Sequence, residues 1–133
     1  MLALVPDLLF GSRVQADLTA AGNDVQLIAD EARLRQRLTD AGGRAHAGGD
    51  APLSPSEAVL VVDLTDARLD GAAILQALAA DGLLTGVRTL AFFSHVDTAV
   101  GERARAAGFD LVVPRSRMAR EGAQLVARLV GDG

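Results

Sequence analysis

Five short aliphatic runs, at residues 2–5, 24–29, 58–63, 87–93 and 110–113, are each followed by a polar turn and then by a stretch with helical spacing. No other feature constrains the fold as strongly. A strand that feeds a helix returns to a parallel neighbour by a right-handed crossover, so strict alternation predicts a parallel sheet with helices on both faces. The third run, AVLVVD, is continuously apolar, which suits a central strand covered on both sides. The economical solution is an α/β fold: a three-layer α/β/α sandwich around a five-stranded parallel sheet of order 2-1-3-4-5, the flavodoxin-like arrangement.

The spacing predicts helices over 12–21, 30–43, 71–82, 97–108 and 118–130. In the first, Val14, Leu18 and Ala21 share one face and Gly22 follows; in the second, Leu34 and Leu38 are four apart and Gly42-Gly43 reads as the stop. AAG, DAGG, AADG and AAG at four helix ends are cap chemistry, since glycine accepts the left-handed backbone. Residues 44–57, RAHAGGDAPLSPSE, carry both Gly and Pro and read as a loop insertion. At 133 residues the chain fits a single domain, 1–133.

Composition removes several function classes. Net charge is −4, from 13 basic against 17 acidic residues, which argues against a nucleic-acid partner because such surfaces displace counterions with excess positive charge. There is no Cys, and His46 and His95 lack ligand spacing, so any metal site must be built from carboxylates. The opening MLALVPDLLFGSR has no basic region before its apolar run, and Asp7 interrupts that run; it reads as neither signal peptide nor membrane span, and a cytoplasmic location is expected. The glycine fingerprint for dinucleotides and the Walker lysine loop are both absent, and no enzyme motif is found.

In open parallel sheets, reactive groups collect beyond the carboxyl ends of the strands. The residues there are Asp7, Phe10, Gly11, Ser12 and Arg13 after the first strand, and Asp63, Thr65 and Asp66 after the third. Ser94, His95 and Asp97 follow the fourth, and Pro114, Arg115, Ser116 and Arg117 the fifth. Local chemistry offers ordinary roles for several of them. Asp63 suits a strand-end turn, Ser12 a helix N-cap, and Ser94 with Asp97 a capping box. FGSR, residues 10–13, could alternatively cradle an anion. Ser94 beside His95 lacks the third group a catalytic set needs.

At these positions the sequence resembles the receiver domains of bacterial two-component response regulators (CheY-like). VLVVDLTDARLDG places Asp63 and Asp70-Gly71 in the register of the family's phosphoacceptor aspartate and Asp-Gly loop; LAFFSHVD places Ser94 where receivers carry their phosphoryl-sensing hydroxyl; ARAAGFDLVVP matches the approach to strand five. The resemblance implies Asp63 as phosphoacceptor candidate with Asp7, Thr65, Ser94 and Arg115 in support. It also implies a protein partner, or a second copy of the chain, on the face of helix four, strand five and helix five, where Glu102, Arg103, Arg105 and Glu121 lie.

The departures from the family pattern point to a degenerate receiver, or pseudo-receiver. Receivers place two acids after strand one to hold Mg²⁺, whereas LVPD supplies Asp7 alone, so Asp7 and Asp63 would make only a weak metal site and no cofactor is otherwise expected. VVPRSR stands where the family has Lys-Pro, leaving Arg115 as the stand-in cation, and strand five carries no aromatic. Three readings follow. Asp63 could pair permanently with Arg115, Arg117 or Arg13 in a signalling and interaction module; Arg13, Arg115 and Arg117 could hold an anion or nucleotide over the strand ends; or Asp63 could be a Mg²⁺-dependent phosphoacceptor.

Overall fold

The run VLVVD forms a strand, Val59–Asp63, buried at all five positions, and the rest of the molecule is arranged around it. The computed structural model describes residues 1–47, 59–66 and 68–131. In chain order the elements are β1 (Leu2–Leu4), α1 (Leu8–Ala20), β2 (Gln26–Ile28), α2 (Glu31–Ala47), β3 (Val59–Asp63), α3 (Gly71–Ala80), β4 (Arg88–Phe93), α4 (Thr98–Ala107), β5 (Leu111–Pro114) and α5 (Arg115–Gly131). All strands pair in parallel in the order β2-β1-β3-β4-β5, as the alternation predicts.

Alternate residues of the central strands feed two separate cores, which is what three layers require. Leu2, Leu4, Leu60 and Val62 pack with Leu34 and Leu38 of α2, Leu75 and Leu78 of α3 and Ala104 of α4. Met1, Ala3, Val59 and Val61 pack on the other face with Phe10, Val14 and Leu18 of α1 and Met118, Leu125 and Val126 of α5. α4 comes close to the sheet because residue 101 has no side chain: a Cβ there would stand 3.0 Å from Phe93 Cζ. Thr89 and Asp110 clamp the other end of the sheet. The Asp110 carboxylate accepts from the Thr89 amide at 2.8 Å and its hydroxyl at 3.1 Å, and the Asp110 amide donates to that hydroxyl at 3.0 Å.

Several boundaries differ from the sequence expectation. α1 begins at Leu8, four residues before Ser12, because Asp7 is its N-cap: Asp7 Oδ1 accepts from Leu9 N at 3.0 Å and Phe10 N at 3.3 Å. Ser12 is therefore not the N-cap of α1. α2 runs through Gly42 and Gly43 to Ala47, so residues 44–47 of the expected loop are helical; 48–57 lie outside the described residues. α5 starts directly on β5, putting Arg115, Ser116 and Arg117 on the helix, and it kinks at Glu121, where φ is −128° and ψ 15°. α4 is preceded by Asp97 without a side-chain cap bond, so the Ser94–Asp97 capping box does not form. α4 ends as its sequence predicts, with Gly108 in the left-handed conformation at φ 112°.

Candidate functional site

Beyond the carboxyl ends of β1, β3, β4 and β5 lies a cleft of about 860 Å³, lined by Asp7, Phe10, Arg13, Asp63, Thr65, Asp66, Ser94, His95, Arg115, Ser116 and Ala119. Its centre is Asp63, level with Phe92 on β4 and only 1% exposed. Leu64 N donates to Phe92 O at 2.9 Å and carries the sheet pairing one residue past the strand. The chain then turns on Asp63 itself: its Oδ1 accepts from the Thr65 amide at 2.7 Å and the Thr65 hydroxyl at 2.6 Å.

The other oxygen, Oδ2, takes no hydrogen bond from the described residues. No polar side-chain atom among them is both fully buried and unsatisfied, so Oδ2 opens onto the cleft. Burial pushes the Asp63 carboxyl above its ordinary value of 3.8, against the opposing pull of the two Thr65 bonds and the nearby Arg115 charge. Desolvation wins. A desolvated carboxyl in a cleft is a candidate functional group.

The wall opposite is a stack. Phe92 and Phe10 meet edge to face with centroids 5.1 Å apart, and the Arg115 guanidinium carbon lies 4.1 Å over the Phe10 centroid. From that seat Arg115 Nη2 donates to Asp7 Oδ2 at 3.4 Å. Asp66 is held by Arg68, whose Nε reaches Oδ1 at 3.1 Å and Nη2 reaches Oδ2 at 2.8 Å; those bonds hold the Asp66 carboxyl below the usual range.

The cleft thus brings together Asp7, Asp63, Thr65, Ser94, Arg13 and Arg115. It leaves out Arg117, which pairs with Glu121 one turn on at 3.3 Å. No arginine among the described residues forms an ion pair with Asp63, so the permanent Asp63–Arg pairing is replaced by the pair Asp7–Arg115. The role of Phe10 as the platform under Arg115 is not visible in the sequence. Its signal there was only position, an aromatic after strand one in a chain with four Phe.

The described residues offer a divalent cation a poor ligand set. Asp7 spends Oδ1 on the start of α1 and Oδ2 on Arg115, Asp66 has both oxygens on Arg68, and no group of three His, Cys, Asp or Glu able to hold a metal occurs among the described residues. Mg²⁺ asks for a near-octahedral oxygen set anchored on one or two carboxylates. Of the four oxygens of Asp7 and Asp63, where a weak site is expected, three accept hydrogen bonds from the described residues.

A five-stranded parallel sheet of this order, with the cleft over its carboxyl ends, is the fold of response-regulator receiver domains. Among solved structures, a protein assigned as a response regulator from Chloroflexus aurantiacus superposes with a TM-score of 0.76 at 15% identity, over 98% of this chain and 95% of that one. The signal receiver domain of NarL from Mycobacterium tuberculosis matches with a TM-score of 0.68 at 20% identity, over 96% and 91%. A response regulator from Burkholderia pseudomallei, solved with a phosphorylated aspartic acid, calcium ion and citrate, matches with 0.68 at 16%, over 96% of this chain and 64% of that one. No protein-family model matches the sequence, and no curated protein does. No described helix is long and apolar enough to cross a membrane.

Proposed function

We propose that the chain is a receiver-like signalling domain, one unit over 1–133, which works in the cytoplasm through contact with a protein partner and not by turning over a substrate. The observation that carries this is Asp63: a buried carboxyl at the end of the central strand, fixed through one oxygen by Thr65 and presenting the other to a cleft. The domain is degenerate, because the acid expected to help hold a metal is occupied as a helix cap and as the partner of Arg115. The contact face is that of α4, β5 and α5, toward a partner or a second copy; Arg105 braces it by lying 5.7 Å over Phe93.

The test is incubation with acetyl phosphate and Mg²⁺ followed by intact mass measurement. An unchanged mass is expected. A phosphoryl adduct that disappears in Asp63→Asn would overturn the degenerate reading in favour of a phosphoacceptor. One observation favours a second reading, an anion held in the cleft: Arg13 lines it beside Arg115 and Ser116 and makes no ion pair among the described residues. Calorimetric titration with inorganic phosphate and with nucleotides, repeated on Arg13→Gln, tests that reading.

A further inference from the structure

Three aspartates line the cleft, and six carboxylate oxygens are available in principle to a ligand. Five already accept at least one hydrogen bond. Asp7 Oδ1 accepts the amides that start α1 and its Oδ2 accepts from Arg115; Asp66 gives both oxygens to Arg68; Asp63 Oδ1 takes the Thr65 amide and hydroxyl. Arg115 stands at the start of α5 and lines the cleft, whereas Arg68 follows β3 and reaches it only through Asp66. Their charges equal those of the two carboxylates they hold.

From this geometry we infer that Arg115 is the cleft's resident counter-cation and the residue that keeps divalent metal out, while Arg68 neutralises Asp66. Arg115 is the stronger barrier. Its guanidinium is seated on the Phe10 ring as well as on Asp7, while the Arg68 side chain is 83% exposed and, among the described residues, held by Asp66 alone. A metal bound between Asp7 and Asp63 would have to break the Asp7 ion pair and then sit beside the displaced positive charge. A built-in guanidinium has neither an off-rate nor a concentration dependence, so the electrostatic state of this cleft is independent of Mg²⁺. Removing the guanidinium while keeping an apolar stem over Phe10 should convert the site to one that takes a divalent cation on Asp7 Oδ2 and Asp63 Oδ2.

The experiment is thermal unfolding of the full chain against MgCl₂, with NaCl at matched ionic strength as reference. Wild type should show no Mg²⁺-specific rise in midpoint. Arg115→Met should show one, about 5 °C at a Mg²⁺ concentration ten times its Kd, and adding Asp63→Asn should abolish it. A Mg²⁺-specific rise in wild type that Asp63→Asn removes would overturn the inference, as would an Arg115→Met protein, and an Arg115→Gln/Arg68→Gln protein, that remain silent to Mg²⁺. Calorimetric titration of Mg²⁺ into wild type gives a check that needs no variant: saturable heat overturns the proposal. The inference shares its site with the proposed function, but the two fail separately. An Asp63 adduct forming equally well in EDTA would sink the contact-only reading and leave this one standing.

Discussion

Replacing Asp63 by Asn should make the protein more stable at neutral pH, and replacing it by Ala should make it less so. The carboxyl is 1% exposed and raised above 3.8 chiefly by burial, so at neutral pH the fold carries the cost of a desolvated charge. Asn keeps the carbonyl oxygen that accepts both Thr65 bonds, and its amide takes the place of the oxygen that opens onto the cleft. What is lost is the attraction to Arg115, whose side chain is 42% exposed and therefore screened. The balance is a gain of about 1 kcal/mol. With an unfolding entropy near 0.28 kcal/mol/K for a chain of this length, that is about 4 °C in the midpoint.

Ala instead strips the Thr65 amide and hydroxyl of their acceptor at a cost of about 2 kcal/mol, or about 7 °C in the other direction. The pH dependence has a definite sign. A carboxyl whose pKa is raised on folding contributes stability that is complete below 3.8 and is lost as pH rises through the folded value, so the advantage of Asn over Asp should be small in acid and grow to a plateau above that window. Calorimetric melts of the three proteins across the pH range measure this directly. If Asn proves as destabilising as Ala, or its advantage does not change with pH, then Asp63 is not a desolvated carboxylate.

Thr89→Val should cost about 1–2 kcal/mol in denaturant unfolding, since it keeps the shape of a nearly buried side chain but leaves the Asp110 amide without its acceptor. Gly101→Ala gains helix propensity but sets a methyl 3.0 Å from the Phe93 ring, and should lower stability by about 1 kcal/mol with a faster unfolding rate. Gly108→Ala meets no atom within 4 Å and should still cost about 1 kcal/mol in equilibrium unfolding, because the strain lies in its backbone at φ 112°; an unchanged stability would refute this.

The sheet was legible because continuous aliphatic runs leave few alternatives: a strand such as β3, buried at every position, has to be central, and helices between strands force the parallel order. Strand-end positions then located the cleft. The errors came where one residue has two uses. Asp7 reads as a site carboxylate, which hides its service as the N-cap of α1 and pushes the expected start four residues late. Gly42-Gly43 reads as a stop, yet α2 continues, since Gly lowers helix propensity without forbidding a helix. The pairing of Asp7 with Arg115 joins residues 108 apart, and the Phe10 platform depends on how α1 and α5 lie together; no local pattern encodes either.

The bend at Glu121 splits α5 into a lead segment of under two turns, which carries Arg115, Ser116 and Ala119 to the cleft, and a longer body anchored by Leu125 and Val126. Broken at one residue, the helix follows two axes, so that Met118 of the lead segment and Leu125 and Val126 of the body seat in one core while Arg115 still reaches the Phe10 ring.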